Sequence, residues 1–228
     1  MVTKFACTDF EEGRKMKTIK ILLVLVILFL SIACSEPPEI TEITTSSGEI
    51  NVMVDPVQTS TSALPFTVKA GGYDWIITPQ AEYTIHAEVK SVRTYRSGWD
   101  SILSPVDFAL AWQGLTEAET RDHITYSQRN RWYYYRYSSQ SPYDKSYIIR
   151  HSANHHILPA TENVKRAVLT VKEGDRIRLL GFLVNVDGVD ESGRKVWWRT
   201  SISRSDEGNH SCEVFWVTEM QKGNKIYR

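Results

Sequence analysis

The sequence predicts a β-rich α+β domain, a small antiparallel sheet or partly closed barrel carrying two short inserted helices. Three observations lead there. Tyr83, Ile85, Ala87 and Val89 alternate with Thr84, His86, Glu88 and Lys90, the period-two pattern of a strand with one buried face. Short apolar segments then succeed one another toward the C-terminus, separated by turn-forming residues. Helix-start chemistry is confined to the middle of the chain.

The elements follow in order. Ser35 to Pro65 is rich in Ser, Thr, Pro and Glu, holds no Lys or Arg and shows no sustained period, so it reads as a disordered tether. An edge strand over Ile50 to Val54 is its structured alternative. Residues 66–228 are long enough for a single globular domain with its own core. Ser104-Pro105-Val106-Asp107 offers an N-cap serine, a proline at the first helical position and an acid at the third, with Gly114 to end the helix. Thr116-Glu117-Ala118-Glu119 repeats that logic for a second short helix. Val164 to Val171 reads as a strand, Lys172-Glu173-Gly174-Asp175 as a turn, and Arg176 to Val184 as the next strand with a bulge at Gly181. Val196 to Ile202 and Cys212 to Thr218, joined by the polar stretches Asp187 to Gly193 and Asp206 to Asn209, complete an antiparallel meander.

Ahead of the domain lies a leader. Lys17 and Lys20 precede an apolar run from Ile21 to Leu30, and Ser31-Ile32-Ala33-Cys34 follows. A membrane-spanning helix needs ~20 apolar residues, so this run is too short to span; it has the three parts of a secretory signal instead. The stretch resembles the lipobox of bacterial lipoproteins, with Ser31 at the position where that family usually carries Leu. The resemblance implies that Cys34 receives a diacylglycerol and becomes the mature N-terminus. Ser31-x-Ala33 also suits ordinary signal peptidase. Asp9, Glu11 and Glu12 are out of place in a basic n-region, so Met16 reads as the start, residues 1–15 as upstream of it, 16–33 as signal peptide and 34–65 as lipidated cysteine plus tether. The expected location is the cell envelope, anchored to a membrane, with the domain on the periplasmic or extracytoplasmic side.

Removing residues 1–33 takes away five basic and three acidic residues, leaving 22 basic against 24 acidic. Nucleic-acid binding is driven by phosphate neutralisation and needs an excess of Lys and Arg, so no nucleic-acid partner is expected. With Cys34 acylated and Cys7 upstream of the start, only Cys212 remains, and an internal disulfide is excluded.

Three segments carry candidate chemistry. His151-Ser152-Ala153-Asn154-His155-His156 holds three of the six histidines, and His151 and His155 could share a face on a helix or a strand. No second set of ligands at metal spacing accompanies them, so no metal and no cofactor are expected, and the segment reads as an ordered polar connection. Cys212 lies about sixty residues downstream. Histidine first and cysteine later resembles the order of circularly permuted papain-like hydrolases, with His151 or His155 as base and Asn154 or Asp206 to orient it. Cys212 also alternates with Val214 and Trp216, which marks a core residue.

The densest aromatic stretch is Arg129-Asn130-Arg131-Trp132-Tyr133-Tyr134-Tyr135-Arg136-Tyr137. Ring faces interleaved with guanidinium groups suit a binding surface, although half of the rings face inward if the segment is a strand. Trp197-Trp198-Arg199 extends the same chemistry. The candidate binding residues are therefore Arg129, Arg131, Trp132, Tyr134, Arg136, His151, Asn154 and His155.

Several phrases together resemble an uncharacterised family of bacterial envelope proteins: Leu103-Ser104-Pro105-Val106-Asp107, Ser127-Gln128-Arg129-Asn130-Arg131-Trp132-Tyr133, His151-Ser152-Ala153-Asn154, Gly174-Asp175, and Ser205-Asp206 through Cys212-Glu213. The resemblance covers most of residues 80–218 and implies a domain boundary, but no catalytic residues. The expected function is that of a lipid-anchored envelope protein whose non-catalytic domain binds another envelope protein or a cell-wall saccharide. A thiol hydrolase using Cys212 is the alternative.

Overall fold

The structure is a computed structural model that describes Ile40, residues 48–205 and residues 211–228. The leader, Cys34 and Asp206 lie outside the described residues. The domain is β-rich, as the strand pattern predicts.

Its spine is β3 (Tyr73–Thr94), which pairs along both edges. β8 (Arg176–Asp190) runs antiparallel along one edge from Tyr73 to Glu88. Along the other edge β2 (Phe66–Ala70), β1 (Val57–Thr59) and β4 (Val106–Ala111) pair in succession. Pro79 lacks an N–H, and the register shifts beside it, between Pro79 and Ala81.

The remaining main-sheet strands are β7 (Ser152–Pro159), β9 (Lys195–Trp198), β10 (Glu213–Lys222) and β11 (Lys225–Tyr227). The pairings β3–β4–β7–β10–β8–β3 close a ring of five strands. Antiparallel pairing reverses direction at each step, so five strands cannot close with every pair antiparallel. The odd pair is β7–β10, which is parallel. The expected C-terminal meander is corrected accordingly, because β10 is inserted between β7 and β8 instead of following β9.

Tyr83, Ile85, Val89, Phe108, Leu110, Ile157, Leu179 and Phe215 meet in the main core, each fully or almost fully buried. Each large apolar side chain contributes about 1.5–3 kcal/mol through removal from water. Trp75, Ile77, Leu158, Val184, Val186 and Val214 form a second cluster. Neighbouring residues of β7 (Ile157, Leu158) and β10 (Val214, Phe215) fall into different clusters, so these strands are covered on both faces.

That double coverage explains one correction. Val106 to Ala111 is a strand in which all six residues are buried, not the helix that Ser104-Pro105 suggested. With both faces buried there is no alternation to betray a strand. A second correction runs the other way. Val164 to Val168 belongs to a helix (Glu162–Val168) capped by Thr161, whose side chain accepts a hydrogen bond from the Val164 N–H at 3.1 Å. Val164, Ala167 and Val168 have helical spacing and bury one face.

The described α-helices are α1 (Trp99–Leu103), α2 (Lys145–His151) and α3 (Glu162–Val168). Thr116 to Glu119 falls in two 3-10 turns, Gln113–Thr116 and Ala118–Thr120. Residues 48–65, within the stretch expected to be a tether, hold the strand β1 and contacts to the rest of the domain. The Gln113 N–H donates to the carbonyl of buried Val52, and Asp55 accepts from the Trp112 indole at 3.1 Å.

A separate two-stranded hairpin, β5 (Ile124–Arg129) and β6 (Trp132–Tyr137), completes the domain. Its turn residues Asn130 and Arg131 both have positive φ, 53° and 67°. Two left-handed residues match the twist of a two-residue hairpin turn.

Candidate functional site

The aromatic run predicted as a binding surface forms β5–β6, and strand alternation splits it into two faces. Arg129, Tyr134 and Arg136 are exposed on the outer face, Tyr133 and Tyr135 turn inward with Tyr126 and Gln128, and Trp132 at the turn is exposed but borders the space beneath the hairpin.

Arg131 belongs to neither face. Its side chain is only 14% exposed and is sunk into the main sheet. Its Nε donates to Asp100 Oδ2 at 2.6 Å, Nη1 to Asp107 Oδ1 at 2.6 Å and Nη2 to the Ser104 carbonyl at 2.9 Å. The guanidinium also lies 3.6 Å over the Tyr95 ring, and the Arg131 N–H donates to the Tyr95 hydroxyl. His156 Nδ1 stands 3.0 Å from the same Asp107 oxygen. Arg131 is thus the latch that holds the hairpin tip to the sheet, not an exposed binding residue.

The histidines part company for a local reason: α2 ends at His151 and β7 begins at the next residue. His151 continues a ring stack, 3.9 Å from Tyr147, which stacks on Tyr143 at 4.1 Å, and its Nδ1 lies 2.8 Å from the Tyr147 carbonyl. His155 is completely buried, with Nε2 3.3 Å from the Tyr83 hydroxyl. Burial, aided by the Arg204 guanidinium, drives its imidazole down to about 3. It is therefore neutral at physiological pH and exposes no surface. Burial also pushes the Tyr83 hydroxyl upward.

Between the inner face of the hairpin and the start of β7 lies a cavity of about 180 Å³. Trp112, Trp132, Tyr133 and Tyr135 form its aromatic walls, and Ile149 and Ala153 contribute apolar surface. Ser152, Asn154, Ser203 and Ser211 supply polar groups, and Cys212 lies beside them. Arg204 and Glu213 close one side as an ion pair, Nη1 to Oε1 at 2.6 Å. Burial opposes the charge on Arg204, but Tyr83 and Glu213 outweigh it and hold the guanidinium above its ordinary value. The Tyr133 hydroxyl meets Ser152 Oγ at 2.5 Å, and burial raises its ionisation well above the ordinary value.

Asn154 knits the cavity to the hairpin. Its Nδ2 donates to the Arg131 carbonyl at 3.2 Å and to Cys212 Sγ at 3.6 Å, and its amide meets that of Gln128 at 2.6 Å. The structure thus brings together Trp132, Asn154 and Cys212, and separates them from His151 and His155. Among the described residues no histidine lines the cavity that holds the thiol, and no group of three potential ligands could hold a metal ion.

Trp112, Ser152, Arg204 and Glu213 were not singled out from the sequence. Arg204 lies in a polar connection with no pattern, and Glu213 alternates with apolar neighbours like any strand residue. Tyr133 and Tyr135 were visible in the run, but as rings expected to fill a core. No protein family, curated protein or solved structure matches the chain.

Proposed function

We propose that the chain is an envelope lipoprotein, anchored through Cys34, whose domain holds a small polar ligand in the aromatic cavity beneath the β5–β6 hairpin without catalysis. The observation that carries the reading is the cavity itself: four aromatic walls around convergent polar side chains, the usual composition of a small-molecule site. Trp132 is 41% exposed at its rim, so a ligand entering the cavity meets an aromatic face first. Against catalysis by Cys212 with His151 or His155, neither histidine lines the cavity with the thiol, and the Asn154 amide beside it cannot take the thiol proton.

The anchor rests on the leader composition and on the Cys34 context. No described helix is long and apolar enough to cross a membrane, which is compatible with a lipid anchor. Metabolic labelling with palmitate is expected to mark the full chain and to miss a Cys34→Ser variant; an unmarked wild-type chain contradicts the anchor.

The cavity reading is tested by adding the low-mass fraction of an envelope extract to the folded domain and following N–H resonances. Shifts are expected at the Trp132 indole and the Asn154 side-chain amide, and none in a Ser203→Trp variant that fills the cavity but melts normally. Silence in the wild type, or equal shifts in both proteins, overturns it.

A further inference from the structure

We infer that the α3–β11 end of the domain lies against an anionic headgroup surface, that of the bilayer holding Cys34, and that the hairpin cavity faces away from it; this rests on Cys34 being the lipid anchor. Chain length sets the distance. Ile40 is packed, partly buried, against the main core, only six residues beyond Cys34. Six residues of fully extended chain reach about 20 Å, so an anchored domain stays close to the lipid.

Hydrogen bonds place the entry of the chain. The Gly48 carbonyl accepts from Gln221 Nε2 at 3.0 Å, and the same amide reaches the Gly223 carbonyl in the β10–β11 turn at 2.9 Å. Lys222 Nζ donates to the Thr170 carbonyl, just beyond α3, at 3.3 Å, and Asn163 of α3 donates to the Arg228 carbonyl at 2.9 Å. The incoming chain, the β10–β11 turn and α3 therefore share one end of the domain.

That end has the chemistry of a membrane-facing surface. Residues 162–176 and 219–228 hold seven basic residues against four acidic, whereas the rest of residues 34–228 holds fifteen against twenty. Lys172, Lys225 and Arg228 are exposed, and Leu169 at the end of α3 adds exposed apolar surface. Lys and Arg are attracted to anionic lipid within a Debye length, ~8 Å at physiological ionic strength. Glu36 and Glu39 in the short tether are repelled by such a surface, so the attraction comes from the domain. It need not be strong, because the tether presents this end at a high effective concentration. The acyl chains hold the protein on the bilayer, and the basic end selects the orientation.

Strand direction then fixes where the cavity points. β7 and β10 run parallel. Ser152 to Asn154 and Glu213, at their starts, line the cavity, while their last residues lead toward α3 and the turn to β11. Ten residues at ~3.3 Å each put the two ends of β10 about 30 Å apart. With its α3–β11 end on lipid, the domain opens its cavity to the space beyond the membrane.

The test uses the full lipidated chain in nanodiscs of phosphatidylcholine with about one-third phosphatidylglycerol, doped with a gadolinium-chelating lipid that broadens resonances near the headgroups. The amides of Leu169, Lys172 and Lys225 are expected to broaden several-fold more than the Ser127 amide and the Trp132 indole. This contrast is expected to collapse in pure phosphatidylcholine and in about 1 M salt, where the Debye length is ~3 Å. It is also expected to collapse in a Lys172→Glu, Lys225→Glu double variant with an unchanged melting temperature. Equal broadening at both ends, stronger broadening at the hairpin, or a contrast that persists without anionic lipid overturns the inference while the anchor stands. A chain that stays off the nanodiscs altogether overturns the anchor and the orientation with it.

Discussion

Two buried residues, Arg131 and His155, show how environment overrides residue type. Arginine in an aromatic run reads as a surface group, yet Arg131 is committed to Asp100, to Asp107, which is fully buried, and to Ser104. Removing it leaves the Asp107 carboxylate buried beside His156 without its guanidinium. Arg131→Ala is therefore expected to destabilise the domain by about 3 kcal/mol, measured by urea unfolding, and Arg131→Lys to recover only part of this because it lacks the fork. An unchanged midpoint for Arg131→Ala contradicts the latch.

His155 makes a pH prediction. Its folded value, about 3, lies below the ordinary 6.5, so below pH 6.5 the unfolded chain binds a proton that the native state refuses. Its contribution is complete above 6.5 and is lost as the pH falls toward 3. Stability is expected to fall by about 2 kcal/mol from this group between about pH 7.5 and about pH 5. His155→Gln, which keeps a polar partner for Tyr83, is expected to flatten that slope in parallel unfolding titrations. Identical slopes contradict the assignment.

Among the elements, Gly181 fixes the crossing of β8 and β10. The register slips between Val217 and Glu219, leaving Thr218 as an extra residue opposite the Gly181–Leu180 step, and the Thr218 hydroxyl donates to the Leu180 carbonyl. A Cβ on Gly181 would stand 1.9 Å from the Trp216 carbonyl oxygen, which is main chain and cannot swing aside. Gly181→Ala is expected to cost at least about 2 kcal/mol in unfolding free energy; a neutral substitution would mean that the strands approach less closely than described.

The bulge was legible because glycine within an alternating strand signals a close backbone approach, although the extra residue itself lies on the partner strand. The first half of the ring was legible in the alternation from Tyr83 to Val89. β4 was not, since a strand buried on both faces has no polar period, and its single acid, Asp107, imitated a helix cap while serving Arg131. α3 was missed because a helix this short offers only one repeat of its spacing. Of the site, Trp132 and Asn154 were anticipated. Arg204 and Glu213 were not, because nothing local tells which loop arginine will meet which strand acid.

At the scale of the molecule, the ring of strands is a rigid floor and the hairpin a cover tied down at both ends. Arg131 pins its tip to Asp100 and Asp107, while Ile124 at its base is buried with Leu115 and Ile148. The cavity is the space left where the cover meets the floor, with its rim open at Trp132. A preformed space of this kind favours binding, since little conformational freedom remains to be lost when a ligand enters. The cysteine in its wall is a neighbour of Asn154, and His151 and His155 lie outside the lining.

The most direct measurement is saturation transfer from the folded domain to the low-mass envelope fraction, in the wild type, Cys212→Ser and Ser203→Trp. Transfer to the protons of a bound small molecule is expected, unchanged by removal of the thiol and abolished when the cavity is filled. Transfer that survives Ser203→Trp, or that depends on Cys212, would contradict the cavity reading.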